Sequence, residues 1–352
     1  MTPDFSKYQR QIQLKGFGLG KQDKLSKSKV LIIGLGGLGI PVAQYLNAMG
    51  IGVLGLLDGD RIALHNLHRQ VLYSEGEVGQ LKADVAAKKL REQNSQTEIV
   101  VIPEFLTVEN ALDTIVNYDV VVDASDNFAT RYLVNDSCVI LNKPFVYGAL
   151  HDFEGQVSVF NYNNGPTYRC LFPNMPGINE IPNCDENGVL GVLPGIIGNL
   201  QALEVVKMIC GLGEVLSGKL LLYDGLSQKN RLVAFKEVPE NKTIRELQKT
   251  YNAHSCATII IQNTNELNEF VGNQLIDVRS PEEFQSGHLE SSKNIPLPEL
   301  LEHLDELNLD QPIYLICQSG QRSQIGAQLL SDQLPNVTVF SIEGGMNQIT
   351  GV

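Results

Sequence analysis

Residues 30–39 read VLIIGLGGLG, and this stretch decides the fold of the first part of the chain. Four apolar residues predict a buried strand, and Gly34, Gly36 and Gly39 then form a Gly-x-Gly-x-x-Gly pattern. A helical pattern over residues 40–49 follows. Glycines let the backbone approach phosphate groups, and a helix N-terminus offers free N–H groups and a favourable dipole. The stretch therefore predicts a nucleotide-binding strand, loop and helix.

Short apolar runs alternate with helical patterns after this stretch. The apolar runs cover residues 53–57, 99–102 and 120–122, and the helical patterns cover residues 82–93, 127–141 and 194–210. Because the runs are apolar throughout, they fit buried strands of a parallel sheet. The alternation predicts an α/β fold with a Rossmann-like, doubly wound, mainly parallel sheet. Residues 145–150 and 156–160 predict antiparallel strands that extend it, and residues 220–223 and 231–235 predict two further strands.

A second domain is indicated by a change in composition and pattern near residue 250. After a polar stretch at residues 237–254, apolar runs restart at 275–278 and 313–316. Residues 257–352 contain 13 acidic and 3 basic residues, whereas residues 1–256 carry a net charge of only −3. We predict a first domain at residues 1–245, a linker at 246–257 and a smaller α/β domain at 258–352.

The bulk composition excludes several classes of protein. A hydrophobic content of 43% and a charged content of 19% are ordinary for a soluble globular protein. We find no continuous apolar run of about 18 residues, the length that a membrane span needs, and no signal-peptide pattern. We therefore expect a cytoplasmic protein without a membrane partner. The net charge of −13 argues against non-specific binding to nucleic acid.

Polar residues beyond the glycine loop distinguish between nucleotides. Asp58 ends the second apolar run, where an acid can hold a ribose hydroxyl, so the loop and Asp58 alone also fit a nicotinamide-dependent oxidoreductase. Asn66, Arg69 and Lys82 then add polar and cationic groups that can neutralise a triphosphate while pyrophosphate departs. Asp126 can bind Mg²⁺. The ordered set favours ATP.

This series of motifs resembles the MoeB/ThiF family of ubiquitin-activating-enzyme-like adenylyltransferases over roughly residues 5–250. The matching motifs are Arg10-Gln11-Ile12, Gly34 to Gly39, Asp58, Asn66-Leu67-His68-Arg69-Gln70, Gly79-Gln80-Leu81-Lys82 and Asp126-Asn127. The resemblance implies that ATP is contacted by Gly34, Gly36, Gly37, Gly39, Asp58, Asn66, Leu67, Arg69, Lys82, Asp126 and Asn127. It also implies that Asp126 serves Mg²⁺ and the α-phosphate. In a symmetric homodimer, Arg10 would reach the partner subunit's site as an arginine finger.

The same resemblance raises the question of zinc, because members of this family commonly bind structural Zn²⁺ with two Cys-x-x-Cys pairs. The corresponding positions here are Thr167 to Cys170 and Ala253 to Cys256, so each pair has lost its first cysteine. His254 is one conceivable replacement ligand. Tetrahedral zinc needs four good donors. We therefore expect no zinc, with Cys170 and Cys256 as remnants that serve packing.

The remaining cysteines differ in their surroundings. Cys138 and Cys210 lie in apolar helical patterns and are predicted to be core residues. Cys184 lies in an irregular stretch, residues 161–188, beside two acidic residues that should raise its pKa. The resemblance nevertheless assigns to Cys184 the family's loop cysteine, which forms an acyl bond or resolves an acyl disulfide.

Cys317 is the strongest candidate nucleophile. It follows the apolar run at 313–316 and precedes Gln-Ser-Gly-Gln-Arg, where a helical pattern begins. Loop N–H groups, the helix dipole and Arg322 would stabilise a thiolate or persulfide, and Gly320 allows the turn.

This part of the chain resembles a rhodanese domain over roughly residues 258–350. The matching motifs are DVRSPEEF at 277–284, GHL at 287–289, NIP at 294–296 and GGM at 344–346. The tryptophan that often follows the last motif is missing, and the chain contains no tryptophan. Asp277 and His288 fit roles in holding the fold.

Together the two resemblances indicate an adenylyltransferase–sulfurtransferase of the MoeZ type. ATP would adenylate the C-terminal glycine of a ubiquitin-like sulfur-carrier protein ending in Gly-Gly. A persulfide on Cys317, loaded by a donor such as a cysteine desulfurase, would then produce a thiocarboxylate for molybdopterin synthesis, thiamine synthesis or tRNA thiolation. The alternatives are a nicotinamide-dependent oxidoreductase, a non-enzymatic scaffold, and a ubiquitin-type activator that keeps a thioester on Cys184 beside a regulatory rhodanese module.

Overall fold

A computed structural model divides the chain into two compact units, Met1–Tyr251 and Asn252–Val352. It describes residues 5–176, 188–251, 257–259, 274–290, 292–309, 311–334 and 337–348.

The first unit is built on an eight-stranded sheet. Its strands are β1 (Lys29–Ile33), β2 (Val53–Leu57), β3 (Glu98–Ile102), β4 (Val120–Asp123), β5 (Phe145–His151), β6 (Glu154–Phe160), β7 (Lys219–Asp224) and β8 (Lys229–Ala234), in the order β3-β2-β1-β4-β5-β6-β7-β8. Strands β1 to β5 are parallel, and β6 to β8 continue the sheet antiparallel. The predicted Rossmann-like sheet is confirmed. One detail differs, because β5 pairs parallel with β4 and the antiparallel extension begins at the β5–β6 hairpin.

The centre of this sheet is buried on both faces. Side chains alternate between faces along a strand, so Val30 and Ile32 of β1 enter one hydrophobic cluster, whereas Leu31 and Ile33 enter the other. A strand buried on both faces must be apolar at every position. This requirement explains why residues 30–33 are uniformly apolar.

Helices cover both faces. They are α1 (Gln9–Ile12), α2 (Gly18–Lys27), α3 (Gly39–Ala48), α4 (Lys82–Gln93), α5 (Ala111–Ile115), α6 (Phe128–Ile140), α7 (Tyr168–Leu171) and α8 (Val192–Cys210). The helical patterns at 40–49, 82–93, 127–141 and 194–210 correspond to α3, α4, α6 and α8. Cys138 and Cys210 are buried in α6 and α8, as predicted.

Helix α8 has the length and hydropathy of a membrane span, and it is the one such helix in the described part of the chain. Within its most apolar window, 56% of the residues are buried inside the protein. Its Gly198 lies so close to α3 that a β-carbon there would be 2.4 Å from the Leu38 carbonyl oxygen. These contacts are those of a core helix, which passes the same test of length and composition.

A polar cluster holds the last residues of the first unit. The Asp136 carboxylate on α6 accepts hydrogen bonds from Arg169 Nε and Nη2 at 2.7 and 2.8 Å, and from the Tyr251 hydroxyl at 2.8 Å. Tyr251 is only 4% exposed. The first unit therefore extends to Tyr251, within the segment at 246–257 for which the sequence predicted a linker.

The second unit contains a five-stranded parallel sheet. Its strands are β9 (Ala257–Ile259), β10 (Leu275–Asp277), β11 (Ser292–Asn294), β12 (Ile313–Ile316) and β13 (Val339–Ile342), in the order β11-β10-β12-β13-β9. The helices described in this unit are α9 (Pro281–Ser286) and α10 (Gln321–Gln333). Leu315 and Ile316 of the central strand β12 enter two different clusters, so this sheet is also buried on both faces.

Candidate active sites

The glycine loop follows β1 and packs tightly against its neighbours. Gly34 has φ +91°, and a β-carbon there would lie 2.8 Å from the Ala124 carbonyl oxygen. A β-carbon at Gly39 would lie 1.8 Å from the Gly34 carbonyl oxygen. Gly36 differs, because the one neighbour that the described residues place within 4 Å of its β-carbon position is Gln70 Nε2 at 3.6 Å. Gly34 and Gly39 therefore shape the loop, while Gly36 leaves one side of it open.

Asp58, directly after β2, orders this loop. Its carboxylate is 6% exposed and accepts hydrogen bonds from the backbone N–H groups of Leu35 and Asp60, both at 2.7 Å. Burial raises the pKa of Asp58, although Lys82 and the two N–H groups act to lower it. The predicted ribose-binding acid thus also ties the glycine loop to the end of β2.

Lys82 is the first residue of α4, and its side chain is 6% exposed. Its ammonium lies 2.7 Å from a carboxylate oxygen of Asp60, whose side chain is 55% exposed. The hydroxyl of Tyr73 contacts the carbonyl oxygens of Leu35 and Lys82 at 3.1 and 3.3 Å. Sequence reasoning missed Asp60 and Tyr73; the second acid of Asp58-Gly59-Asp60 was the available signal for Asp60.

The segment from Asn66 to Gln70 closes one side of the loop. Asn66 is buried at the end of a 3₁₀ turn, Leu64–Asn66, and its carbonyl oxygen accepts the Arg69 N–H at 3.1 Å. The Arg69 side chain lies over Gly37, with its Cγ 3.4 Å from the position of a β-carbon there. Leu67 is half-buried against the core. Arg69 is thereby placed beside the glycine loop.

A buried acid lies at the end of β4, beside the predicted metal ligand. Asp126 is exposed, and Asn127 caps α6 by accepting the Thr130 N–H at 2.8 Å. Asp123 is fully buried; one oxygen accepts hydrogen bonds from the Ser125 N–H and hydroxyl at 3.0 and 2.6 Å. Its other oxygen has no hydrogen-bond partner among the described residues. Burial raises the pKa of Asp123, opposed by Arg131.

These oxygen donors fit Mg²⁺, which prefers carboxylates and retains several waters. Asp126 is accessible, and the unpartnered oxygen of Asp123 lies close by in sequence. No group of three or more His, Cys, Asp or Glu side chains suited to a metal occurs within the described ranges. Asp126 and Asp123 alone could hold Mg²⁺ only in part, so its other oxygen ligands would have to come from substrate phosphates and water.

Arg10 lies on α1, apart from these residues, and it is exposed. Its two flanks are anchored: the buried Tyr8 hydroxyl accepts from Asn94 Nδ2 at 2.9 Å, and Gln11 Nε2 donates to the Met49 carbonyl at 3.0 Å. Among the described residues, no hydrogen bond or ion pair to the Arg10 side chain is found. An exposed guanidinium on an anchored turn is free to serve another molecule.

Cys170, the predicted zinc remnant, is surrounded by hydrogen-bond donors. Its sulfur accepts from the Val238 and Thr167 N–H groups at 3.3 and 3.4 Å and from Asn241 Nδ2 at 3.7 Å. Burial raises the pKa of the Cys170 thiol, but these hydrogen bonds outweigh burial and leave it below its usual value. Its contacts hold residues 238–241 against α7.

Four residues of the sequence predictions lie outside the described part of the chain: Cys184, Ala253, His254 and Cys256. Their assigned roles stay predictions.

Cys317 lies in the second unit, directly after β12. The cysteine is buried, and its sulfur accepts the Gly320 N–H at 3.2 Å. Gly320 has φ +91° and precedes the first residue of α10. A β-carbon at Gly345 would lie 2.1 Å from the Cys317 carbonyl oxygen, so only glycine lets this backbone support the loop. Cys317 is therefore held in a tight turn at a helix N-terminus.

Arg322 is engaged elsewhere than at the sulfur. Its guanidinium forms two hydrogen bonds of 2.6 Å with the Glu283 carboxylate. Chiefly through these bonds, the pKa of Glu283 falls to about 2. Within the described residues no hydrogen bond joins Arg322 to Cys317, so its predicted effect on the thiolate can act only through space. Sequence reasoning missed Glu283.

Asp277 and His288 make contacts typical of structural residues. Asp277 is fully buried and pairs with Arg279 at 2.7 Å. The His288 ring stacks on Phe284, with a centroid separation of 3.9 Å.

Comparisons with known proteins agree with this division. Residues 8–245 match the ThiF family, and residues 262–351 match the Rhodanese-like domain. The chain is 40% identical to the adenylyltransferase and sulfurtransferase MOCS3 of Drosophila persimilis, over 99% of this chain and 84% of that protein. It is also 40% identical to MOCS3 of Aedes aegypti, over 93% of this chain and 82% of that protein.

Solved structures of Escherichia coli MccB resemble the first unit's fold. MccB with MccA-N7isoASN matches with a TM-score of 0.61 and 25% identity, covering 69% of this chain and 75% of that one. MccB with ATP matches with a TM-score of 0.58 and 27% identity, covering 66% and 73%.

The packed Gly39 and the open Gly36 predict different effects of substitution by alanine on stability and on ATP binding. Gly39→Ala places a carbon against the Gly34 carbonyl, so we expect it to lower the free energy of unfolding by about 3 kcal/mol. Gly36→Ala points into open space and should cost about 0.5 kcal/mol or less, while weakening ATP binding about tenfold where phosphates approach the loop. Denaturant unfolding and calorimetric ATP titration measure both. Equal stability of the two variants would contradict this assignment.

Proposed function

We propose a reaction sequence for this chain, which belongs to the ThiF family and carries a rhodanese-like domain after it. The chain is an adenylyltransferase and sulfurtransferase, and it acts on a ubiquitin-like sulfur carrier. In our proposal the first unit activates the carrier's C-terminal glycine carboxylate with ATP. The second unit supplies sulfur from Cys317.

In the first step, a carboxylate oxygen of the carrier attacks the α-phosphorus of ATP and pyrophosphate leaves. A carboxylate is already a nucleophile, so no general base is needed, and rate comes from positioning and charge neutralisation. Lys82 and Arg69 would neutralise the phosphates, and the N–H groups after the glycine loop would hold them. Mg²⁺ would be held by Asp126, with the buried Asp123 close by in sequence, and would supply further positive charge.

One observation carries the ATP assignment: a nearly buried ammonium, Lys82, lies at the helix α4 N-terminus beyond a glycine loop that Asp58 orders. A cation at a helix N-terminus is unfavourable by itself, because the dipole there is positive. Its partner, Asp60, is largely exposed. Lys82 is thus a cation held in place by Asp60, and its ammonium can contact the phosphates of ATP.

In the second step, a persulfide anion on Cys317 attacks the acyl-adenylate carbonyl and AMP leaves. The carrier is then joined to Cys317 through an acyl disulfide. A thiolate, from Cys184 or an external thiol, attacks the Cys317 sulfur and forms a disulfide with it. The carrier leaves as a thiocarboxylate, and the attacking thiol and Cys317 provide the two electrons. Reduction of that disulfide restores the enzyme.

An apolar surface near the glycine loop supports docking of the carrier at this edge. Phe153 and Leu226 are 46% and 72% exposed on adjacent hairpin turns, which are joined by the Gly225 N–H to the Phe153 carbonyl at 2.8 Å. Exposed apolar side chains in one place are typical of interaction sites. Two neighbouring residues at the start of α8 connect these turns to the glycine loop: Leu193 lies 3.4 Å from the β-carbon position of Gly225, and Pro194 lies 2.9 Å from that of Gly37.

We further propose a cytoplasmic symmetric homodimer in which Arg10 of each subunit enters the other's site. The anchored turn that presents an unpaired Arg10 supports this role. The donor would be a protein persulfide such as that of a cysteine desulfurase. The carrier would serve molybdopterin synthesis, thiamine synthesis or tRNA thiolation.

We also propose that zinc has no part in this protein. A structural metal ion joins distant segments of a chain, and in this protein hydrogen bonds join them. Asp136 binds Arg169 and Tyr251, while Cys170 accepts from residues 238 and 241.

The sulfur route predicts a defined product. With ATP, Mg²⁺, a Gly-Gly carrier and glutathione persulfide, mass spectrometry should show one carrier oxygen replaced by sulfur. Cys317→Ala should abolish this product but keep ATP–pyrophosphate exchange, and Cys170→Ala should keep both. A thiocarboxylate formed by Cys317→Ala without free sulfide would contradict the route. Hydride transfer without exchange would instead indicate a nicotinamide enzyme, and a stable carrier thioester on Cys184 a ubiquitin-type activator.

If Arg10 of one subunit completes the ATP site of the other, two inactive variants should complement each other. Arg10→Ala and Lys82→Ala should each lose exchange activity. Equal mixing with subunit exchange should restore about a quarter of it, because half of the dimers then contain one intact site. Mixing Lys82→Ala with Asp58→Asn, two changes within one site, is the control and should restore nothing. Failure of the first mixture despite subunit exchange would exclude an arginine acting in trans.

The hydrogen bonds of Asp136 and Cys170 predict how the protein responds to metal removal. Metal analysis should find less than one zinc per chain, and dialysis against a chelator should leave the melting temperature unchanged. Asp136→Asn should lower the free energy of unfolding by about 3 kcal/mol, because it breaks a buried ion pair. Asp113→Asn, an exposed acid on α5, is the matched control. A chelator that unfolds the first unit would show a zinc site after all.

A further inference from the structure

Gln318 follows Cys317 and joins the turn at residues 317–320, here called the catalytic turn, to two other loops. Its Oε1 accepts a hydrogen bond from Arg279 Nη1 at 3.0 Å, and its Nε2 donates one to Asn347 Oδ1 at 2.7 Å. We propose that Gln318 is a positioning residue that holds Cys317 in the geometry needed for sulfur transfer. This inference rests on the proposed role of Cys317 as the sulfur-carrying residue.

One end of this bridge is rigid. Arg279 is 3% exposed, and its guanidinium also donates to the Asp277 carboxylate at 2.7 to 3.0 Å and to the Gly287 carbonyl oxygen at 2.7 Å. Asp277 is the last residue of β10 and is fully buried. The guanidinium is planar, so these bonds fix the direction in which its remaining N–H groups point. Gln318 is thereby tied to the end of β10.

The other end lies on the turn after β13. Asn347 ends the 3₁₀ turn Gly345–Asn347, and its own N–H donates to the Gln318 carbonyl oxygen at 3.0 Å. The Met346 N–H donates to the Cys317 carbonyl oxygen at 2.9 Å. The backbone of the catalytic turn thus rests on this segment, and the Gln318 side chain adds a second attachment to it.

The bridge controls the surroundings of the sulfur. The Gly320 N–H reaches the Cys317 sulfur at 3.2 Å only while the backbone of residues 318–320 keeps its shape. Hydrogen-bond donors stabilise an anion most when they are already in place. Arg322 is paired with Glu283, and Arg279 with Asp277, so neither cation replaces that N–H at the sulfur.

The step that depends on this geometry is loading of Cys317. The thiolate attacks the outer sulfur of a persulfide donor, a bond forms between the two sulfurs, and the donor's S–S bond breaks. The outer sulfur and its proton move to Cys317, and the donor leaves as a thiolate. Charge and electrons balance without a further reactant. A turn that samples other shapes presents the attacking sulfur correctly for less of the time.

Gln318 is exposed, so its replacement leaves the core intact and allows a test in the full-length protein. We compare Gln318→Ala with Gln324→Ala, an exposed glutamine on α10. Peptide-resolved mass spectrometry measures alkylation of Cys317 by iodoacetamide against pH. Gln318→Ala should move the midpoint of this profile to higher pH and lower the kcat of sulfur transfer from glutathione persulfide about tenfold. The KM for the carrier and the ATP–pyrophosphate exchange rate should not change.

A double-mutant cycle separates positioning from a general loss of structure. Asn347→Ala should act in the same direction, and the double variant should be no worse than the more impaired single variant, because both substitutions break one bridge. The inference is overturned if Gln318→Ala matches the parent protein in both assays, or if Gln324→Ala has the same effect. Sulfur transfer that survives Cys317→Ala would overturn the proposed function instead, while the alkylation profile would still report on the turn.

Discussion

The contact between Gly39 and the carbonyl of Gly34 is the constraint on which the first unit depends. A β-carbon would have to lie 1.8 Å from that oxygen, so strand β1 can turn directly into helix α3 only with glycine at this position. The turn leaves the N–H groups at the start of α3 without partners within the helix. Asp58 then holds the turn from the neighbouring strand by accepting the Leu35 N–H. Tight backbone packing therefore exposes the N–H groups that we propose bind the phosphates of ATP.

The second unit contains a similarly tight turn, at the cysteine that we propose carries a persulfide anion. The Cys317 turn rests on Gly345, where a β-carbon would lie 2.1 Å from the Cys317 carbonyl oxygen. The glycine loop of the first unit and Cys317 of the second unit each follow a buried parallel strand and precede a helix. A phosphate and a persulfide are both anions, and oriented N–H groups stabilise either one. In our proposal the two chemistries thus use one physical device: a substrate brings the nucleophile in the first unit, and Cys317 carries it in the second.

The sequence predicted the elements whose signals are local. Strand β12 and helix α4 match their predicted limits, because apolar runs and helical periodicity depend on neighbouring residues. Helices α2 and α5 escaped prediction; α2 has only two buried residues, so its apolar pattern is weak. Cysteine and glycine motifs also indicated both candidate sites, whose residue roles stay predictions. Asp60 and Gln318 stand within those motifs, but their partners Lys82, Arg279 and Asn347 are set only by the fold. Glu283 could not be found from the motifs, because it meets Arg322 only when the fold brings distant segments together.

The surroundings of Cys170 show how contacts between distant segments can hold the end of a domain, as our proposal of a zinc-free protein requires. A metal ion binds its ligands strongly but requires all of them, so two remaining cysteines retain little affinity. Here Cys170 keeps a role as a hydrogen-bond acceptor for residues 238 and 241. Asp136 adds an ion pair with Arg169 and a hydrogen bond from Tyr251, the last residue of the first unit. Each bond is weaker than a metal–thiolate bond, but together they hold the same end of the unit and need no metal. If the chain binds no zinc, as we propose, these contacts hold the end of its first unit in place of the metal.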